Sequence, residues 1–211
     1  VKRDPERVRS AGAGSRRGSA GSPPVSSIRI VGGRWKRTPI PVVDAEGLRP
    51  TPDRVRETLF NWLGQDLTGW RCLDLFAGTG ALGFEAASRG AARVVMVERA
   101  PRALAALEAV RERLDAHAVQ IVKADALAWL AACRERFDLV LLDPPFGGDA
   151  LARALPAVAS VLEPEGRIYV ESPHPLSREM PPLRDLPGFT VHRAARAGQV
   201  HYHLLLPESG A

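Results

Sequence analysis

From Trp70 onward, short apolar runs alternate with amphipathic stretches, and this alternation constrains the fold more than any other feature of the chain. "RCLDLF", "RVVMVE", "AVQIVKAD", "FDLVLLD" and "GRIYVES" have the length and β-branched content of strands. Between them lie "ALGFEAASRG", "PRALAALEAVRERL", "ALAWLAACRE" and "ALARALPAVASVL", which have the spacing of helices. Strands joined through helices lie parallel, with the helices on both faces of the sheet. The end of the chain departs from this rhythm. "FTVHRAARAGQVHYHLLLP" holds two strands, a tight turn and no helix, and so predicts an antiparallel hairpin closing one edge. The expected fold is α/β: a doubly wound, mostly parallel seven-stranded sheet ending in an antiparallel hairpin.

The first third reads differently. Residues 1–27 are rich in Arg, Gly, Ser and Pro, lack aromatics, and are expected to be a disordered basic tail. "SIRIVGGRWKRTPIPV" predicts a short β element turning at Gly32-Gly33. "LRPTPDRVRETLFNWLG" predicts a helix: Thr51 to cap it, Pro52 in the first turn, Asp53 for the dipole, Val55, Leu59, Trp62 and Leu63 as the apolar face, Gly64 as the stop. Residues 28–64 thus form a small β/helix extension, and 65–207 the main domain. The charge sits in the extension and tail. Residues 1–24 hold six Lys/Arg against two acids and residues 28–56 hold seven against three, so in a chain of net +5 the remainder is acidic. Such a concentration suits a polyanionic partner, against the plainer reading of a solubilising tail.

"LDLFAGTGALG" follows the first strand of the main domain. Gly78, Gly80 and Gly83 satisfy G-x-G-x-x-G, and Glu98 ends the next strand, where an acid holds a ribose. Asp74 bears on the ligand. A dinucleotide sets two phosphates over this turn, and a nearby carboxylate opposes them. S-adenosylmethionine (SAM) carries an ammonium and a sulfonium instead, which a carboxylate attracts. Asp74, Phe76, Gly78, Gly80 and Glu98 are therefore the expected SAM-binding set. Asp125 joins them as a partner for the adenine amine, with helix capping as its equal alternative.

The fourth strand ends in Asp143-Pro144-Pro145-Phe146. Proline cannot donate to a ladder, so the strand stops there and the turn is stiff. An acid, a fixed carbonyl and an aromatic ring beside a methyl donor suit an exocyclic amine on a nucleobase. Its lone pair is delocalised, and two acceptors gripping its hydrogens free that pair for attack. Asp143 and the Pro144 carbonyl are the expected acceptors, with Phe146 as stacking platform. The competing reading is a structural proline turn.

These residues resemble the amino-group methyltransferases with a [DNS]-P-P-[YFW] motif. Together with "IRIVGGRWKRTPIPV", "GLRPTPDRVRETLFNWL", "CLDLFAGTGALGFEAASRGA", "YVES" and "AGQVHYHLLLP", they are similar to the bacterial 16S rRNA (guanine-966-N2) methyltransferases over residues 28–206. The resemblance implies a Rossmann-like SAM-dependent methyltransferase fold and methylation of one guanosine N2 in 16S rRNA of the small ribosomal subunit, with SAM as donor. It also places Arg49, Thr51, Arg54 and Arg56 on the substrate side. Arginines at a helix start can grip phosphate, against a reading as a solvated face. Arg34 and its neighbours extend the basic surface, and Trp35 either stacks on a base or covers a small β core.

His174, His192, His201 and His203 lack an accompanying acid or Cys set, so they read as surface residues and no metal is expected. Cys72 and Cys133 lie far apart in apolar contexts, no run reaches a membrane span, and no secretory signal is visible, so a cytoplasmic protein is expected. Competing activities are a DNA or adenine-N6 amino-methyltransferase, a non-catalytic RNA-binding assembly factor and a nicotinamide dehydrogenase.

Overall fold

The computed structural model describes residues 26–42 and 51–208. The expected tail, apart from its last two residues, and Arg49 lie outside the described residues. Two short strands, β1 (Ser27–Arg29) and β2 (Pro39–Pro41), pair antiparallel, and α1 (Asp53–Leu63) follows. The alternating region then runs β3 (Arg71–Asp74), α2 (Ala81–Ser88), β4 (Arg93–Glu98), α3 (Pro101–Arg113), β5 (Val119–Lys123), α4 (Ala126–Ala132), β6 (Phe137–Leu142), α5 (Ala150–Ala157), β7 (Leu162–Ser172), β8 (Phe189–Ala197) and β9 (Val200–Pro207).

The main sheet has seven strands in the order β5-β4-β3-β6-β7-β9-β8. Its first five are parallel, and β9 runs antiparallel between β7 and β8. This is the expected architecture. The central strands are covered on both faces, which explains their continuous apolar runs: Phe137 and Leu139 to Leu142 of β6 are all fully buried. The edge strand β8 instead exposes Arg193 and Arg196, charges that discourage pairing with another chain.

Side chains alternate between two cores, one on each face. α1, α2 and α3 cover the first, which contains Cys72, Met96, Leu141 and Tyr169. α4 and α5 cover the second, which contains Leu73, Val95, Leu142 and Val170. The small hairpin also packs on the first core through Ile30 and Ile40, both fully buried. Backbone bonds fix it to the end of α2: the Arg34 amide donates to the Ser88 carbonyl at 2.7 Å, and the Trp35 amide to Ser88 Oγ at 2.9 Å. Trp35 is half-buried against this core, with the exposed Arg34 guanidinium 6.0 Å from its ring centroid.

α1 departs from the expectation at its start. Its N-cap is Pro52, and no side chain caps it. Thr51 lies one residue too early and turns its hydroxyl elsewhere. Phe60 joins Val55, Leu59 and Leu63 in the buried face, whereas Trp62 is partly buried and stacks on Tyr202 at 5.4 Å. Among the described residues no helix is long and apolar enough to cross a membrane, and no group of His, Cys, Asp and Glu is arranged to hold a metal. His203 corrects the expectation of surface histidines. It is buried, its Nε2 accepts from the Leu176 amide at 3.2 Å, and burial lowers its pKa to about 4.

Candidate active site

The parallel strands β3, β4, β5, β6 and β7 deliver acids to one edge of the sheet, at their carboxyl ends, where open α/β sheets take ligands. Asp74 is the last residue of β3 and is 1 % exposed. Its Oδ2 accepts from the Gly83 amide in the first turn of α2 at 2.9 Å, and Oδ1 has no hydrogen bond among the described residues. Burial, with further repulsion from Glu98 and Glu171, raises this carboxyl to about 7, against the opposing pull of the Gly83 amide. The glycines let backbone and acid approach. A Cβ on Gly83 would sit 2.4 Å from Met96 Cε and 3.0 Å from Asp74 Oδ2. Gly80 starts α2 at φ +78°, a left-handed conformation that glycine adopts without strain.

Glu98 ties the next strand to this loop. Its Oε2 accepts from the Gly78 amide at 2.9 Å, and Oε1 from the Arg99 and Ala100 amides, both at 2.7 Å. A carboxylate oxygen accepts two bonds, so Oε2 retains a lone pair for a hydroxyl. Phe76 is half-buried against the second core. Asp125 caps α4: Oδ1 accepts from the Leu127 and Ala128 amides, both at 3.1 Å. Oδ2 lies 3.4 Å from Arg99 Nη1 on an exposed rim. Capping thus engages one oxygen and leaves the other facing outward. This donor set fits SAM: a buried acid for a cationic ligand, a second acid with spare acceptor capacity, and a glycine loop without bulk between them.

β6 brings Asp143 to the same face, since Asp74, Asp143 and Glu171 share the side-chain parity of Cys72, Leu141 and Tyr169. Pro144 is buried, Pro145 is exposed, and Phe146 is 46 % exposed, an aromatic ring held in the open. Desolvation, then the charges of Glu171 and Asp74, hold the Asp143 carboxyl well above the usual range, against the hydrogen bond from Thr51.

Two residues here were not singled out by the sequence pattern. Glu171 is 3 % exposed at the end of β7, and Tyr169 is fully buried. Tyr169 donates to Glu171 Oε1 at 2.9 Å, and burial raises the Glu171 carboxyl too. Thr51 completes the group. It is buried, and its Oγ1 lies 2.8 Å from Glu171 Oε1 and 3.3 Å from Asp143 Oδ2. The structure thus brings Thr51 against the acids rather than to an open substrate face.

The expectation for Arg56 is corrected. Its guanidinium is fully buried, paired with Asp53 at 2.6 Å and with the buried Glu85 at 3.3 Å. It also donates to the Arg29 and Thr51 carbonyls. A side chain enclosed in this way cannot reach a phosphate. Arg54 and Arg34 are exposed.

A family model described as "Conserved hypothetical protein 95" matches residues 28–206. The chain is 39 % identical over 184 residues to the ribosomal RNA small subunit methyltransferase D of Escherichia coli K12, covering 86 % of this chain and 91 % of the relative. The chain belongs to this family. A solved Escherichia coli structure, provisionally assigned as a methyltransferase, superposes with a TM-score of 0.76 at 38 % identity, covering 88 % of this chain and all of that one. A structure from Streptococcus mutans, provisionally assigned as a SAM-dependent methyltransferase, has a TM-score of 0.65 at 18 % identity, over 81 % of this chain and 50 % of that one. At that identity the likeness shows the fold alone. The sequence resemblance and the family therefore agree, and the Rossmann-like methyltransferase fold is the one the chain adopts.

Proposed function

We propose that this chain transfers the methyl group of SAM to the exocyclic N2 of a guanosine in 16S rRNA of the small ribosomal subunit, in the cytoplasm. The observation that carries the reading is Asp143-Pro144-Pro145-Phe146 at the end of β6, next to β3, whose end bears Asp74 and the glycine loop. Membership of a family whose relatives are named ribosomal RNA small subunit methyltransferase D supports the substrate.

When bound, SAM supplies an electrophilic methyl on a sulfonium. The rest is done by this chain. Asp74, Phe76, Gly78, Gly80, Glu98 and Asp125 hold the donor, with Asp74 balancing positive charge and Glu98 accepting from the ribose. Asp143 and the Pro144 carbonyl accept the two hydrogens of the guanine amine and aim its lone pair. Phe146 stacks on the base once it has left its helix or loop. The proton released on methylation passes to Asp143 or to water. Residues 28–64 act as the RNA-facing extension of the 65–207 domain, with Arg34, Arg49 and Arg54 toward phosphate and residues 1–27 as an auxiliary basic tail.

Tritiated SAM with small subunits lacking their own modifications, followed by nucleoside analysis, tests the reading. N2-methylguanosine is expected, and Asp143→Ala should lower single-turnover transfer by about 10²–10³-fold, the loss typical of one preorganised polar partner. Label in N6-methyladenosine, or transfer by Asp143→Ala at the wild-type rate, overturns it.

A further inference from the structure

One hydroxyl stands between two carboxylates. Thr51 Oγ1 is 2.8 Å from Glu171 Oε1 and 3.3 Å from Asp143 Oδ2, and it has a single proton to give. The groups facing this pair are few. Tyr169 and Glu171 come from β7, Asp74 from β3, and Tyr202 from β9 lies behind Tyr169. From α1, the Arg56 guanidinium pairs with Asp53 and Glu85 rather than with either acid here, and it meets this group through the Thr51 carbonyl, at 3.2 Å. Glu98 stands beyond Asp74.

Proton positions follow from counting donors. With both acids ionised, two like charges occupy one desolvated site, and one of the two short contacts lacks a hydrogen. With one proton on the pair, both contacts become hydrogen bonds. Burial pushes both carboxyls upward, and the charge of Glu171 adds to the push on Asp143, so the two acids compete for that one proton across the Thr51 hydroxyl. A chain of hydrogen bonds then links Glu171, Thr51 and Asp143, with Tyr169 donating to Glu171 Oε1.

We propose that Glu171 is a positioning residue for methyl transfer: it shares one proton with Asp143 through Thr51 and so fixes Asp143 with one carboxyl oxygen free to accept from the amine. The inference rests on the methyltransferase reading above, and it deepens it. It also gives Thr51 a role that its spacing from the motif, 92 residues earlier, conceals. Because Thr51 belongs to the extension, Asp143 is aligned only when the start of α1 is in place.

The test uses the full chain with four substitutions: Glu171→Ala, Glu171→Gln, Thr51→Val and Thr51→Ser. Single-turnover methylation of unmodified small subunits at saturating SAM gives the rate, and calorimetry gives SAM affinity. Glu171→Ala and Thr51→Val should slow transfer by about 10- to 100-fold through misplacement of the acceptor, with SAM affinity held within about twofold. Thr51→Ser keeps the hydroxyl and should restore most of the rate. Glu171→Gln keeps a donor toward Thr51 and should do the same. It should also move the acid limb of the pH–rate profile to lower pH, because the acid competing with Asp143 for a proton is gone. Glu171→Gln as slow as Glu171→Ala, or Glu171→Ala as fast as wild type, overturns the proposal. Wild-type protein inactive on small subunits would instead refute the functional reading. Carbon-13 NMR titration of the Asp143 carboxyl then decides the proposal without activity. Its midpoint should fall in Glu171→Gln, and an unchanged midpoint refutes the shared proton.

Discussion

Replacing Arg56 with alanine should destabilise the fold and leave RNA contact intact. The guanidinium is fully buried and engaged on every side: Glu85 Oε2 at 3.3 Å, Asp53 Oδ1 at 2.6 Å, the Arg29 carbonyl at 2.8 Å and the Thr51 carbonyl at 3.2 Å. Burial lowers its pKa against the pull of Glu85 and Asp53. Truncation strands two carbonyls and weakens the cover on Glu85, which is fully buried. Breaking a buried pair costs about 3–5 kcal/mol. Glu85 keeps Arg89 at 3.0 Å and the Val31 amide at 2.8 Å, and Asp53 keeps Arg29 at 2.7 Å. The lower half of that range therefore applies, about 3–4 kcal/mol, which is about 6–16 °C in a domain of this size. Calorimetry measures the shift. Binding to a 16S rRNA fragment, followed against salt well below the new Tm, measures the RNA term. Arg56→Ala should keep the wild-type salt slope, whereas Arg54→Ala should flatten it by about 0.7–0.9 if it removes one phosphate contact. A wild-type Tm with a flattened slope in Arg56→Ala would refute the reasoning.

Asp74 sets a pH dependence. Its native carboxyl holds a proton up to about 7 and its reference value is 3.8, so its stabilising contribution is complete below the reference value and lost as pH rises through about 7. Asp74→Asn should remove that segment of the ligand-free stability curve, as read by thermal melts across pH. Cationic SAM favours the ionised form, so its affinity should rise between about pH 6 and 8 with proton release; a flat calorimetric profile would refute the contact. Glu98→Ala removes the carboxylate that accepts from three backbone amides and that is proposed to meet the ribose, and at about 1.5 kcal/mol or more per charge-assisted bond SAM should bind at least about tenfold more weakly. Unchanged affinity would sink that assignment. Phe146→Ala should leave Tm almost unchanged, because the ring is 46 % exposed, yet slow methylation by the loss of about 1–3 kcal/mol of stacking, while Phe146→Tyr stays active. Equal rates in the two variants would show that the ring is not a platform.

The strands and helices were legible because a parallel sheet covered on both faces demands continuous apolar runs. β6 shows this directly, and its proline stop marks the site at the same time. The placement of β9 between β7 and β8 was not legible, because a hairpin pattern does not say which of its strands meets the sheet. Arg56 shows a different limit. Beside Arg54 it reads as one of two basic residues at a helix start. Yet Phe60 lies four positions on, so Arg56 shares the buried stripe, and the acid that makes burial tolerable, Glu85, is 29 residues away. Glu171 did carry a signal. Like Asp74, Glu98 and Asp143, it is an acid at or just beyond the end of a parallel strand, in "YVES". What the pattern lacked was its partner, since Thr51 is 120 residues earlier.

Asp74, Asp143 and Glu171 stand at the ends of three strands that are consecutive in the sheet, β3, β6 and β7, and on one face. No ion pair among the described residues reaches any of the three, although Arg56 and Arg89 lie in the same molecule, because Glu85 and Asp53 hold those cations on α1 and α2. The result is a site whose carboxyls are each pushed upward by burial and, for Asp74 and Asp143, by the other acids. A dinucleotide brings phosphates and makes this repulsion worse. A sulfonium and an ammonium relieve it, and the sulfonium charge disappears once the methyl group has left. On the methyltransferase reading proposed above, Asp74, which favours the charged donor, therefore holds its spent form less strongly. This asymmetry belongs to the arrangement of carboxyls and needs no movement of the fold.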